Sequence, residues 1–171
     1  MDEYIRLAIN SINAYVQSGI RYTPQPWELT SEMRNGRAGV FVSIHENGSL
    51  RGCIGTIAPA RNTIAEEIVS NAISAATEDP RFLPITVDEL VRLTISVDIL
   101  GEAEPVSSTD ELNVKRYGVI VAKDNRRGLL LPDLDGVETV EDQVMIAKRK
   151  AGIDAFEKGV LLYRFEVIRH E

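Results

Sequence analysis

The 171-residue sequence predicts an α+β fold with a mostly antiparallel sheet and about three main helices. Three stretches have helical spacing of apolar residues, and each begins with a residue suited to capping a helix. About six further stretches read as strands, and two pairs of them are joined by hairpin turns. These elements are grouped rather than strictly alternating along the chain, which favours an α+β arrangement with mostly antiparallel pairing.

The three predicted helices have recognisable ends. The first runs from Asp2, which can cap it, to Gly19, which suits its C-terminal stop. The second opens on a capping box at 63–66, and the third opens at 139–142 and ends at Gly152. A further helical turn is expected at 86–90 and weak helical character at 110–115.

The predicted strands fall at 39–45, 50–56, 93–99, 117–123, 128–131 and 161–167. Asn47-Gly48 joins the first two and is the strongest short-range hairpin signal, because both central residues of a type I′ turn need positive φ. Two connections contain paired prolines. Residues 21–30 are predicted to form a loop anchored by Trp27, and 79–84 a stiff link, since proline breaks a helix.

The composition is typical of a soluble globular protein, with 44% apolar and 26% charged residues. The length fits a single domain over 1–171, with room for two subdomains. The net charge of −7 disfavours binding to nucleic acid or to an anionic membrane, although a local basic pocket is compatible with it.

Cysteine and histidine usage limits the possible chemistry. A single cysteine excludes an internal disulfide and any CxxC motif, and two histidines far apart disfavour a histidine-rich metal site. No cofactor or metal is indicated. The chain begins without the features of a signal peptide, and no apolar run approaches the ~20 residues that cross a bilayer. A cytoplasmic, reduced protein is therefore expected.

One run in the first third, Leu50-Arg51-Gly52-Cys53-Ile54-Gly55, marks the candidate site. It holds the only cysteine, and it places Arg51 two residues from the thiol, where a cation favours the nucleophilic thiolate. Gly52 and Gly55 either shape a bulge and allow close packing, or expose backbone N–H groups to a ligand.

The hairpin leaves Cys53 open to two interpretations. A two-residue turn places Val42 opposite Cys53, so Arg51 and Cys53 would share the apolar face of the first strand. This favours a structural or site-shaping cysteine over a catalytic one, because buried cysteines are usually inert. The presence of Arg51 on the same face favours a functional site instead, because a buried guanidinium needs a partner such as Asp79, Glu89 or a bound anion.

His45 is the candidate base nearest to the run. The same register puts it on the opposite face of the hairpin, roughly 10 Å from Cys53. A Cys–His pair needs contact at about 3 Å. The sequence therefore disfavours a Cys53–His45 dyad and makes His45 a surface residue near the turn.

Charged residues around the run suggest a small anion pocket. Arg51, Arg61 and Arg81 could join the N-terminus of the helix that starts at Thr63, because helix N-termini attract anions. Asp79 and Arg81 form either a local ion pair or part of the site beside the cysteine. Their rigid link favours the second interpretation, since functional groups are often positioned on such loops.

These residues resemble the AMMECR family, named after a chromosomal region deleted in the AMME syndrome. The run at 50–55 is the family signature LRGCIG, unchanged. Three more segments match in order: GVFV at 39–42, DPRF at 79–82 and KAG at 150–152. The strand at 128–132 is also similar, so the resemblance covers nearly the whole chain.

The resemblance implies an α+β protein with a larger and a smaller subdomain and with the signature near a cleft between them. It also implies partners, because prokaryotic members often neighbour, or are fused to, a MEMO-type protein similar to extradiol dioxygenases and a radical SAM enzyme. Many relatives carry a second cysteine just before the KAG segment, where this chain has Ala147. A two-cysteine mechanism is therefore not expected here.

Two functions from different classes remain open. The first is a non-catalytic binding or accessory component that presents the Arg51–Cys53 cleft to a partner protein or a small anionic ligand. Its ligand-binding residues would be Arg51, Gly52, Gly55, Asp79 and Arg81. The second is an enzyme or modification carrier in which Cys53 is the nucleophile or acceptor, Arg51 stabilises its thiolate and Arg81 binds an anionic substrate. The lack of a nearby base favours the first.

Overall fold

The computed structural model describes all 171 residues and confirms the α+β prediction. The chain divides into two compact units. The first comprises Met1–Leu100 and Ile168–Glu171, and the second comprises Gly101–Val167. Each unit contains one four-stranded sheet.

The helices are α1 (Glu3–Ser18), α2 (Ser31–Asn35), α3 (Ile64–Thr77) and α4 (Val140–Ala151), with 3-10 turns at Pro26–Glu28, Val87–Arg92 and Thr109–Glu111. The strands are β1 (Val40–Glu46), β2 (Ser49–Gly55), β3 (Leu93–Leu100), β4 (Glu104–Val106), β5 (Gly118–Lys123), β6 (Arg126–Leu130), β7 (Leu161–Phe165) and β8 (Val167–His170). None of the helices is both long enough and apolar enough to cross a membrane.

The first unit has the sheet order β2-β1-β3-β8. Alternate residues of β1, Val40, Val42 and Ile44, are fully buried on the face that packs against α3. Helix α3 packs against this face and against α1, which also contacts β3, and most residues of α3 are buried. The core of this unit is therefore a sheet covered on one face by two helices, and β2 forms one edge of the sheet.

The second unit has the sheet order β4-β7-β5-β6, with α4 packed against β5 and β6. Its core contains Val119, Val121 and Ala147. The sequence shows no repeat, yet both units have the same chain order: a hairpin, a helix, and a strand that pairs with the first strand of the hairpin. This strand is β3 in the first unit and β7 in the second.

The predicted helix ends are confirmed. The Asp2 carboxylate accepts the backbone N–H groups of Tyr4 and Ile5, which satisfies two of the donors that an α-helix leaves unpaired at its start. Thr63 and Thr139 cap α3 and α4 in the same way through their hydroxyl groups. Gly19 and Gly152 end α1 and α4 in the left-handed conformation that suits glycine.

Two details differ from the sequence predictions. There are eight strands rather than six, because β4 went unpredicted and the predicted last strand is divided at Glu166 into β7 and β8. Trp27 does not anchor its loop: it is 80% exposed, and the Tyr22 hydroxyl holds the loop by donating to Glu28 at 2.6 Å.

Candidate functional site

A β-bulge at Arg51 overturns the predicted register of the first hairpin. Asn47 and Gly48 form the expected turn with φ values of 51° and 81°, and beside it His45 pairs with Leu50. Beyond Arg51 the pairing shifts by one residue, so Cys53 lies opposite Ser43 rather than Val42. The prediction that Cys53 lies on the apolar face with Val40, Val42 and Ile44 is therefore wrong, since a one-residue shift reverses the faces.

Cys53 lies on the outer face of the sheet and is half-buried. Its Sγ is 3.3 Å from the Ser43 hydroxyl oxygen, within hydrogen-bond distance for sulfur. Its backbone N–H points out of the edge strand β2 and donates to the Asp79 carboxylate at 2.9 Å. Ser43 was missed by the sequence analysis because its place opposite Cys53 depends on the bulge.

Asp79 brings Arg81 to the same site. The Asp79 carboxylate is buried and accepts Arg81 Nε–H at 3.1 Å and Nη2–H at 2.8 Å. The Arg81 guanidinium holds the pKa of Asp79 well below its usual range despite burial, and the Cys53 N–H adds to this effect. The ion pair between Asp79 and Arg81 that the sequence suggested is therefore present, and it lies beside Cys53.

Arg81 is the cation beside the thiol. Its pKa is raised above the ordinary value, chiefly by the Asp79 hydrogen bonds and additionally by the charge of Cys53. Its side chain is 55% exposed, and its Nη1 has no hydrogen-bond partner in the chain. A guanidinium fixed on one side and open on the other can bind an anion or stabilise a thiolate.

Arg51 is engaged elsewhere. It forms a two-bond ion pair with Glu89, at 2.8 and 3.0 Å, and donates to the carbonyl oxygens of Leu83 and Pro84. Its hydrogen bonds lower the pKa of Glu89 to about 2, with the Thr86 N–H as the second cause. Of the partners considered for Arg51, Glu89 is the one that the structure provides.

Phe82 lies between the two arginines. The ring centroid is 6.0 Å from the Arg51 guanidinium carbon and 5.4 Å from that of Arg81. Distances of this order allow cation–π attraction. The aromatic residue of the DPRF segment therefore helps to fix the position of both guanidinium groups.

Both glycines of the signature are closely packed. A Cβ at Gly52 would lie 2.3 Å from the Ala75 carbonyl oxygen of α3, and a Cβ at Gly55 would lie 2.2 Å from the Phe41 ring. These distances are shorter than any real Cβ contact, so each position needs glycine for its packing alone. Close packing is thus the role that the contacts of Gly52 and Gly55 support.

The three-arginine pocket expected at the start of α3 does not form. Arg61 precedes this helix, whereas Arg81 follows it beyond Asp79. The 14 residues of α3 separate the two ends by about 21 Å. Arg51 also lies at the far end, through its bonds to Leu83 and Pro84.

His45 lies on the same face as Cys53, which corrects the predicted opposite-face placement. It is two positions along β1 from Ser43, the residue opposite Cys53. Diagonal neighbours in an antiparallel pair have Cα atoms about 7–8 Å apart, which a histidine ring can span, but the His45 ring makes no hydrogen bond or ion pair in the structure. Asp79 does not replace His45 as a base, because its two oxygens already accept four hydrogen bonds.

Comparison with known proteins shows one family and close relatives. The model of the AMMECR1 family matches residues 5–170. A protein of Thermotoga maritima is 50% identical over 169 residues, which cover 98% of this chain and 97% of that protein. A protein of Clostridium acetobutylicum is 48% identical over 99% of this chain, but the match takes up only 36% of that longer protein.

The fold also matches a solved structure. The crystal structure of the uncharacterized protein PH0010 from Pyrococcus horikoshii superposes with a TM-score of 0.90 at 28% sequence identity. The superposition covers 97% of this chain and 88% of that protein. The similarity therefore extends over both units rather than over the signature hairpin alone.

Proposed function

The chain belongs to the AMMECR1 family, and we propose that it is a binding or accessory component whose binding surface is the thiol–arginine patch, formed by Cys53, Ser43 and Arg81. The observation that carries this proposal is the Arg81 guanidinium. Asp79 fixes it beside the thiol, while its Nη1 remains without a partner. A fixed, half-exposed guanidinium suits a carboxylate or phosphate group of a small ligand or of a partner protein.

The partners that we propose are the MEMO-like protein and the radical SAM enzyme implied by the family. The Clostridium relative supports an accessory role, because there the matching region is about a third of a longer protein. In such a chain this fold works alongside further sequence. A thiol used at a binding surface also needs a reducing compartment, so we place this protein in the cytoplasm.

A second function, a carrier or nucleophile role for Cys53, is favoured by one observation. The cysteine is on the outer face, where Arg81 can stabilise the thiolate, rather than in the core. Because Asp79 already accepts four hydrogen bonds and the His45 ring makes none, the thiol would react as a thiolate that is already present. Acceptance of a group from an activated donor fits this site better than base-dependent catalysis.

The first experiment is the pH dependence of Cys53 alkylation, followed by intact mass. We expect the midpoint of the native protein to lie below that of the Arg81→Gln variant, because the variant loses the cation beside the thiolate. The Arg61→Gln variant should keep the wild-type midpoint, since Arg61 is exposed and lies at the opposite end of α3 from Arg81. Equal midpoints in the wild type and R81Q would contradict the assignment of Arg81.

Phosphate protection tests the binding surface itself. We expect inorganic phosphate, compared with sodium chloride at equal ionic strength, to slow alkylation of wild-type Cys53 but not of R81Q. Protection requires an anion to occupy Arg81 next to the thiol. The absence of protection in wild type would overturn the anion site. Labelling of Cys53 only after unfolding would overturn both proposed functions at this surface.

A further inference from the structure

A groove with a volume of about 320 Å³ lies in the first unit, where α3 begins. Its apolar lining includes Tyr22, Leu29 and Val69. It lies at the opposite end of α3 from Arg81 and is separate from the thiol–arginine patch. A volume of this size is in the range of small-molecule sites.

Two arginines of this groove lack an acidic partner. The Arg34 side chain makes no hydrogen bond or ion pair within the chain. Arg21 donates only to the Ser70 hydroxyl, at 2.7 Å. Both side chains are exposed, and they line the same groove, so their remaining N–H donors are available to an anion there.

The backbone at the groove adds a hydrogen-bond donor. Ala65, the second residue of α3, lines the groove, and its N–H has no partner in the chain. The neighbouring N–H groups of Ile64 and Glu66 are bonded to Gly36 and Thr63. The positive end of a helix of 14 residues thus faces the same space as Arg21 and Arg34.

Glu66 limits what the groove can bind. Its carboxylate lies at the rim and accepts the Asn62 N–H at 3.1 Å. The negative charge of Glu66 repels an anion at the rim, so the anionic group of a ligand must lie toward the arginines. The apolar lining then provides a surface for the rest of the ligand, where Tyr22 and Leu29 can contact a ring or an alkyl chain.

We propose that this groove binds a small-molecule phosphate monoester with an apolar or aromatic body. The phosphate would lie between Arg21, Arg34 and the Ala65 N–H, and the body would lie on Tyr22, Leu29 and Val69. Two guanidinium groups and a helix N-terminus suit a dianion better than a monoanion. This site is independent of the function proposed for Cys53.

Titration with phenyl phosphate, followed by calorimetry and by backbone amide shifts, tests the site. We expect saturable binding to wild type, with the largest shifts at the start of α3, and a loss of tenfold or more in Arg34→Gln, as removal of a charge-assisted hydrogen bond predicts. Arg21→Gln should behave similarly. Glu66→Gln should bind more tightly, because it removes the carboxylate at the rim while keeping the acceptor for Asn62.

One variant is a matched control for charge. Arg149→Gln changes an exposed arginine of α4 and should bind phenyl phosphate in the groove as wild type does. Amide shifts at the start of α3 separate binding in the groove from binding at Arg81. Equal weakening in R149Q and R34Q would overturn the groove as the site, leaving only a general charge effect. Equal affinity for inorganic phosphate and phenyl phosphate would overturn the apolar part of the proposal. The absence of amide shifts at the start of α3 would overturn the groove as a phosphate site.

Discussion

At the scale of residues, Arg51 and Arg81 have different roles from those that the sequence indicated. The spacing of Arg51 and Cys53 made Arg51 the cation nearest to the thiol. The bulge at Arg51 turns its guanidinium instead to Glu89 and to the carbonyl groups of the 79–84 link. Arg81 follows Cys53 by 28 positions in the chain, and the charge of Cys53 contributes to the raised pKa of its guanidinium.

The two signature glycines give a prediction at the same scale. Gly52→Ala should lower the free energy of unfolding by about 1–3 kcal/mol, because the new Cβ meets the backbone carbonyl of Ala75, which cannot move without shifting α3. Gly55→Ala should lower the free energy of unfolding by less, because its new Cβ meets the Phe41 side chain rather than backbone. Urea denaturation followed by circular dichroism measures both. A larger loss in G55A than in G52A would contradict the assigned contacts.

At the scale of elements, the 79–84 link covers the exposed edge of β2. An edge strand presents unpaired N–H and C=O groups that must be bonded or protected. Asp79 accepts the Cys53 N–H, and Arg51 on β2 donates to the carbonyl groups of Leu83 and Pro84. The link therefore fixes Arg81 and protects the strand with the same residues.

The Arg51–Glu89 pair makes this attachment depend on pH. The ordinary pKa of a glutamate is 4.5, and in the folded protein the pKa of Glu89 is lowered to about 2. The ionised carboxylate therefore stabilises the fold fully above pH 4.5. This stabilisation should be lost as the pH falls from 4.5 towards 2. Glu89→Gln should lower the free energy of unfolding at pH 7 by about 1.5–3 kcal/mol, as for a hydrogen bond to a charged group.

The pH profile of unfolding checks the cause. In E89Q the free energy of unfolding should vary less between pH 4.5 and 2 than in wild type. Arg51→Gln should reduce the same part of the profile, because the low pKa of Glu89 depends on Arg51. A wild-type slope that persists in both variants would show that other carboxyl groups produce it.

At the scale of the whole molecule, both units use glycine in the same two ways. In each sheet a phenylalanine ring covers a glycine on the paired strand, Phe41 over Gly55 in the first and Phe165 over Gly118 in the second. In each unit a hairpin glycine also lies under a helix carbonyl, that of Ala75 for Gly52 and that of Ala147 for Gly128. Only the first unit carries the thiol–arginine patch.

The C-terminal strand completes the first unit, although it lies far from it in sequence. Arg169 on β8 forms a two-bond ion pair with Asp98, whose side chain is only 3% exposed. Arg169→Gln should lower the free energy of unfolding by about 3–5 kcal/mol, because it leaves a buried charge without its partner.

A double variant isolates the effect of the buried charge. Asp98→Asn combined with Arg169→Gln should recover part of the loss, since it removes the charge that R169Q leaves unpaired. Urea denaturation and amide exchange of β3 provide the measurements. If the double variant loses as much stability as R169Q, the buried charge is not the cause.

The sequence predicted the elements that local chemistry specifies. Asp2, Thr63 and Thr139 begin helices because their side chains bond nearby N–H groups, and Asn47-Gly48 turns because both residues accept positive φ. The short strand β4 was missed, and β8 was not separated from β7, because pairing partners rather than their own residues define these strands. Trp27 was misplaced because an aromatic side chain does not show by itself whether a core is within reach.

The sequence by itself determined the α+β class and the family, because caps, turns and a six-residue signature are local patterns. It also selected Arg51, Cys53, Asp79 and Arg81 as candidate site residues. Only the tertiary structure decided which of these residues meet. One bulged residue reversed the face of Cys53, and a link beyond α3 brought Arg81 to it. Register and long-range contacts depend on the packing of the whole unit, and a shift of one residue is enough to exchange the core face for the outer face.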